Sequence, residues 1–377
     1  MTTGRAFRVP FMSLAPGDDH AAVRAAIERV VASGWFVLGP EVEAFEAEFA
    51  RAIGAADAVG VGTGTDALAL ILRGLGIGPG DEVVTTPLSA AYTALAVMMA
   101  GARPVFADVD PIRLTVDADR VDEAIGPRTR AILPVHLYGQ PADMSALERV
   151  AARHNLPIVE DCCQAHLATA GGRPVGTIGI AGAFSFYPTK NLGALGDAGA
   201  VVTNDRALAA RIRRLRNGGQ TDRYHHQEPG VNSRLDELQA AILRARLPRL
   251  GPSTQRRRMI ASQYRRLLAD AGGIDVPAEC DPGHVYHLFV VRVRNAARDQ
   301  LQASLASRGI ETLIHYPVPI PRQPALAGME PRDCPVAARA CHEVLSLPLH
   351  PGLSDTDVNM VAASVRSESA TIARGDR

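Results

Sequence analysis

The chain has 377 residues, 47 % of them hydrophobic, and its 40 basic residues are balanced by 40 acidic ones. That length accommodates two domains, or one large domain with a smaller one attached, and the apolar content supports a filled core. Balanced charge gives no electrostatic footprint for nucleic acid or an anionic membrane, so small molecules and other protein chains are the expected partners.

The opening MTTGRAFRVPFMSLAPGDD has no uninterrupted apolar core of signal-peptide type, and the longest apolar run, AAYTALAVMMAGA at 90 to 102, is too short to span a bilayer. A cytoplasmic location is expected. Cys162, Cys163, Cys280, Cys334 and Cys341 show no disulfide framework, and reduced thiols are the default. Cys162, Cys163 and His166 lie close in sequence but lack a second ligand pair at zinc spacing, so no metal site is expected.

DDHAAVRAAIERVVASG places Val23, Ile27, Val30 and Val31 on one helical face, and Gly34 stands just past its end. A second amphipathic helix after Gly39 and Pro40 carries Val42, Phe45 and Phe49. Short apolar runs follow: DAVGVG, DEVVTTP, RPVFADVD, RAILPVHLYG, LPIVED, GAFSFYP and GAVVTND, mostly separated by helix-like stretches. Such alternation predicts an α/β fold with a mainly parallel sheet buried on both faces, and ligands at the strand carboxyl ends. NSRLDELQAAILRARLPRL reads as a long helix opening on an Asn or Ser cap. Beyond about residue 250 the texture changes to helices, a strand at HVYHLFVVRVR, another near TLIHYPV, and many prolines. The expected division is a large domain over 1–250 with an N-terminal arm, and a smaller α+β domain over 251–377. The last dozen residues carry little apolar pattern and are expected to fray.

Within FSFYPTKNLGALGDAGAVV sits Lys190, the one lysine in the chain, so the other 39 basic residues are arginines. It could be an ordinary surface cation. Its sharper reading is chemical, because an amine can lose its proton and condense with an aldehyde whereas a guanidinium cannot. That points to pyridoxal phosphate. A phosphate needs N–H donors at a helix start, and GVGTGTDALALIL supplies strand, turn and helix with Gly64 and Thr65 at the junction, although an ordinary tight turn would look the same. A pyridinium nitrogen needs a carboxylate, and LPIVEDCCQAH ends a strand on Glu160 and Asp161, either of which could instead cap a helix.

Together GTGTDAL, PVFADVD, PVHLYGQPADM, VEDCCQAH, FSFYPTKNLGALGDAGAVVTND, NSRLDELQAAIL, IHYPVP and LSLPLHP resemble the blocks of the DegT/DnrJ/EryC1/StrS sugar aminotransferases, within the fold-type I pyridoxal-phosphate enzymes. The resemblance covers nearly the whole chain. It implies that Lys190 forms the internal aldimine and shuttles a proton, that Asp161 pairs with the pyridinium nitrogen, and that Gln164 lies against the ring. It implies phosphate binding by Gly64, Thr65 and Ser185, with Asn232 reaching across from a second subunit of a homodimer; Asn232 could equally cap a helix. The implied reaction moves an amino group from L-glutamate to a nucleotide-linked keto sugar. The stretch RNGGQTDRYHHQEPGVNSRLDELQ resembles the branch acting on dTDP-3-keto-6-deoxyhexoses. A 4-keto UDP sugar, an aminocyclitol precursor, or a non-catalytic regulatory role are the alternatives.

Four positions depart from the family pattern. Ala90 stands where an aromatic ring is expected over the cofactor, leaving Tyr92 or Trp35 as replacements. Cys162 and Cys163 stand where small residues are usual, and Leu167 where glycine is. His136, Tyr138, Tyr187, Arg223, Tyr224, His315 and Tyr316 are further polar or aromatic residues that could meet a nucleotide sugar or serve structural hydrogen bonding.

Overall fold

The computed structural model describes residues 7–14, 17–326 and 333–374. Seven strands form the central layer: β1 (Asp57–Val61), β2 (Glu82–Thr85), β3 (Arg103–Phe106), β4 (Thr129–Leu133), β5 (Val159–Asp161), β6 (Ala181–Ser185) and β7 (Gly199–Thr203). Their order is β1-β7-β6-β5-β4-β2-β3, with β4 joined to β5 through the parallel bridges Ile132 to Ile158 and Val135 to Asp161. Six strands run parallel and β7 alone runs against its neighbours β1 and β6.

The apolar strands are continuous because helices cover both faces. On one face α2 (Pro40–Ile53) and α6 (Met144–His154) pack Val42, Phe45, Phe49, Leu147 and Val150 against Val84, Ile132, Phe184 and Val202. On the other, α3 (Gly64–Gly74), α4 (Tyr92–Met99) and α7 (Arg206–Leu215) bury Leu68, Ile71, Val97 and Ile212 against Val59, Val83, Leu133 and Val201. Helix α1 (His20–Ser33) ends at Gly34 with φ of 67°, a conformation glycine adopts without steric cost. Its buried residues are Val23, Ala26 and Val30, whereas Val31, expected on that face, is exposed.

Past residue 250, α9 (Leu250–Leu268), α10 (Arg298–Ser307) and α12 (Asp355–Arg374) flank a small antiparallel sheet of Ile274–Asp275, Phe289–Val293 and Val344–Leu347. Tyr264, Phe289, Leu301, Leu345 and Val361 fill its core. Val9, expected in an arm of the large domain, belongs to this core and bridges Ile310. Phe11, Leu88, Ala94 and Tyr138 meet Leu288, Val290 and Ile320 in a seam between the two layers. The frayed terminus is corrected as far as Arg374, where α12 ends; residues 375–377 lie outside the described residues.

One helix boundary differs from expectation. The chain at 232–236 runs extended, bridged by Asn232 to Asn217 and by Asp236 to Val37, and α8 (Glu237–Arg246) starts only after it. Asn232 is therefore no cap. Ser233 is spent elsewhere: its Oγ accepts from Gly62 N–H at 3.0 Å and donates to Asp66 Oδ2 at 2.9 Å. Pro248 lies in a 3-10 turn at Leu247–Arg249, which separates α8 from α9.

Candidate active site

The carboxyl ends of β1, β2, β5 and β6 bring four loops to one edge of the sheet. After β1, Thr63 caps α3: its hydroxyl accepts from Asp66 N–H at 3.0 Å, and its carbonyl from Ala67 N–H at 3.0 Å. The donors left open at this positive helix end are those of Gly64 and Thr65. Glycine is required at 64, since a Cβ there would lie 2.7 Å from Cys163 Sγ and 2.8 Å from Ser185 Cβ. Ser185, closing β6, thus faces the start of α3. This is an anion cradle of backbone donors with a hydroxyl beside it.

Two carboxylates end β5, and strand alternation sends them to opposite sides. Glu160 is fully buried and satisfied: it accepts from Gly176 N–H at 2.8 Å, Ile178 N–H at 2.8 Å and Gly179 N–H at 2.7 Å, and meets His136 Nε2 at 3.0 Å. His136 Nδ1 accepts from Ala142 N–H at 3.1 Å, which leaves Nε2 as the donor toward Glu160. His136, Glu160 and Cys162 cluster closely enough for a metal, but these hydrogen bonds already account for the carboxylate and the imidazole. The considered grouping of Cys162, Cys163 and His166 does not converge. Cys162 Sγ donates toward Glu160 O, Cys163 Sγ toward Ala183 O, and His166 packs between Phe184 and Phe186.

Asp161 takes the other side. It is 5 % exposed; Oδ2 accepts from Thr93 Oγ1 at 2.9 Å and Oδ1 from Cys163 N–H at 3.1 Å. Gln164, one turn on, accepts from Tyr138 N–H at 2.7 Å and donates to Tyr316 Oη at 3.1 Å. The Tyr138 hydroxyl donates to the carbonyl of His315, whose Nδ1 lies 2.8 Å from Ser346 Oγ. The loop after β5 is thereby tied to the C-terminal layer. Burial, then the charge of Lys190, pushes His315 down to about 4, so the ring is neutral at physiological pH.

Lys190 lies in the turn after β6, with its N–H on Tyr187 O at 2.8 Å and Ala194 N–H on Phe186 O at 2.7 Å closing the loop. Gly193 allows that closure, because a Cβ would lie 2.5 Å from Pro188 O. Next to it, Asn191 Oδ1 meets His287 Nδ1 at 3.1 Å and anchors the loop to the C-terminal layer. Lys190 makes no ion pair among the described residues. Burial lowers its amine pKa, and the neighbouring Cys163 and Asp161 act in the opposite direction. Burial also pushes the Cys163 thiol well above its ordinary range, with Asp161 adding to the effect. A lysine with a lowered pKa offers more neutral, nucleophilic amine than a solvated one.

The structure therefore gathers Gly64, Thr65, Asp161, Gln164, Ser185 and Lys190. Asn232 stands apart and exposed, beyond Ser233. Tyr187, Arg223 and Tyr224 are exposed; the guanidinium of Arg223 lies 5.2 Å from the ring centre of Tyr224, in a small hairpin. Trp35 and Tyr92, the rings considered in place of Ala90, are 57 % and 64 % exposed. Leu167 has φ of 64°, which explains why glycine suits that position. Thr93 is the functional neighbour that the reading passed over. Its signal was present, since the Thr93 hydroxyl at the head of the apolar run ALAVMM, once buried, must find a partner.

These residues fit pyridoxal phosphate. The open N–H groups at α3 and Ser185 suit its phosphate, the buried carboxylate of Asp161 suits its pyridinium nitrogen, and the desolvated amine of Lys190 suits its aldehyde. Comparison with known proteins agrees. The model of the DegT/DnrJ/EryC1/StrS aminotransferase family matches residues 18–366. The chain is 50 % identical over 364 residues to the dTDP-3-amino-3,4,6-trideoxy-alpha-D-glucose transaminase of Streptomyces venezuelae, covering 95 % of this chain and 96 % of that protein. The crystal structure of S. venezuelae DesV in complex with a ketimine intermediate superposes with a TM-score of 0.93 at 49 % identity, over 96 % of this chain and 98 % of that one. The structure of NtdA from Bacillus subtilis with bound cofactor PMP gives a TM-score of 0.89 at 30 % identity, over 97 % of this chain and 87 % of that one. The fold, the site and these relatives lead to one assignment: this chain belongs to the DegT/DnrJ/EryC1/StrS aminotransferase family.

Proposed function

We propose that the protein uses pyridoxal phosphate to move an amino group from L-glutamate to a nucleotide-linked keto sugar, with a dTDP-3-keto-6-deoxyhexose as acceptor. The observation that carries this reading is the desolvated Lys190 amine beside the buried, hydrogen-bonded carboxylate of Asp161, at the same sheet edge as the open helix end of α3. The acceptor class is supported by the name and 50 % identity of the S. venezuelae transaminase.

When bound, the cofactor supplies an electron sink that stabilises negative charge on the reacting carbon. The residues of this chain do the rest. Gly64, Thr65 and Ser185 hold the phosphate, Asp161 holds the proton on the ring nitrogen, and Gln164, clamped between Tyr138 and Tyr316, borders the ring. Lys190 takes a proton from one carbon and returns it to another, which needs an amine whose pKa lies below that of a solvated lysine. Asn232, exposed and free of a capping role, reaches a second copy of the chain on this reading. On this reading the working unit is a homodimer, with a large domain up to about residue 250 and a small domain beyond it. Five cysteines without disulfide-framework spacing in the sequence support a reducing compartment such as the cytoplasm.

The test is the visible absorption spectrum of the purified protein with pyridoxal phosphate, before and after L-glutamate. A yellow band that bleaches with glutamate, and recovers only with a dTDP-linked 3-keto sugar from a panel of keto sugars, is the expected result. A band indifferent to glutamate removes the donor assignment, and absence of any band removes the cofactor assignment.

A further inference from the structure

The hydroxyl of Thr93 belongs to α4, which follows β2, yet its partner is the last residue of β5, two strands away in the sheet. Thr93 is 2 % exposed and Asp161 is 5 % exposed, so bulk water cannot replace that contact. Cys163 N–H occupies Oδ1 and Thr93 occupies Oδ2, one donor on each oxygen. A carboxylate oxygen has two lone pairs, so each keeps one free for another donor. The two contacts fix the plane of the carboxylate and leave its outer edge open.

We infer that Thr93 is a positioning residue for Asp161, one that holds the carboxylate oriented toward the ring nitrogen of the cofactor. This rests on the cofactor reading above. The Thr93 hydroxyl, arriving from a helix on another strand connection, is the donor that comes from outside the Asp161 segment, whereas Cys163 N–H is local to it. Without the hydroxyl, Asp161 would turn more freely, and a carboxylate turned away from the ring nitrogen cannot hold the proton there. The contact also ties the start of α4, the stretch that carries Ala90, to the site floor.

The experiment compares Thr93→Val, which keeps the shape and removes the hydroxyl, with Thr93→Ser, which keeps the hydroxyl and removes a methyl. Pyridoxal phosphate is titrated into each purified protein without amino donor, and the pH midpoint of the visible band is recorded. The titratable groups facing Asp161 are Cys162 and Cys163 on its own segment, Lys190 in the loop after β6 and Tyr316 in the C-terminal layer, all unaltered in both variants. Thr93→Val is expected to weaken cofactor binding about 10- to 100-fold, the range for losing a hydrogen bond to a charged group, and to displace the midpoint. Thr93→Ser is expected to restore most of both. If valine upsets folding by far-UV circular dichroism, Thr93→Ala against Thr93→Ser makes the same comparison. Parental affinity and midpoint in the hydroxyl-free variant would overturn the inference, as would a serine variant as impaired as valine, which would show a packing role. A parent protein with no visible band overturns the cofactor reading and this inference with it; a parent band unaffected by the substitution overturns the inference alone.

Discussion

Lys190 shows how one residue's chemistry can be separated from its charge. Arginine keeps the cation but cannot act as a neutral amine under these conditions. Lys190→Arg is therefore expected to keep the fold and to lose transamination by about 100- to 10,000-fold or more, the range for removing a positioned acid–base group. A coupled assay of glutamate consumption checks this, and substantial activity in the arginine variant would reduce Lys190 to a counter-ion. The residue was legible in the sequence because it is the only lysine among 40 basic residues. Asp161 was legible from its place at the end of an apolar strand. Thr93 was not read, because its significance depends on Asp161 lying opposite, and that juxtaposition is made by strand order and not by neighbourhood in the chain.

At the scale of elements, Glu237 explains why the helix expected from residue 232 starts later. Its carboxylate accepts from Gly39 N–H at 2.8 Å, Glu41 N–H at 2.9 Å and Val42 N–H at 2.8 Å, closing the N-terminus of α2 from another helix. An anion is well placed at the positive end of a helix. Glu237 N–H in turn donates to Phe36 O at 3.1 Å, so residues 36–42 and 236–237 hold each other. A glutamine has one accepting oxygen and cannot satisfy all three donors. Glu237→Gln should destabilise the protein by about 1–3 kcal/mol, measured as a lower midpoint in urea; an unchanged midpoint would mean that water replaces the carboxylate there. Local pattern alone could not show this, since helix propensity in NSRLDELQ favours an earlier start and long-range bridges override it. The seven strands of the large sheet, by contrast, were visible from apolar runs and their spacing.

For the molecule as a whole, burial keeps several histidines neutral. It lowers the pKa of His166 and of His284 to about 3, and that of His287 well below the ordinary 6.5. Above 6.5 neither the folded nor the unfolded chain binds these protons. As pH falls from 6.5 toward the folded values, the unfolded chain takes up protons that the folded chain refuses, so stability is lost in that window. The slope is about 1.4 kcal/mol per pH unit for each such histidine. The urea midpoint is expected to drop between about pH 7 and about pH 5, well before most carboxylates titrate; a flat midpoint would show that these rings are accessible to protons in the folded state. The sequence by itself determined the alternation of strands and helices and the family, because periodicity and motif spacing are local properties of the chain; it offered Lys190, Asp161, Gly64 and Thr65 as candidates at strand ends. Only the tertiary structure decided that Glu160 is taken up by Gly176, Ile178 and Gly179, that Thr93 reaches Asp161 and that Asn232 is no cap. Each of these depends on which distant donors or bridging strands the fold brings within bonding distance.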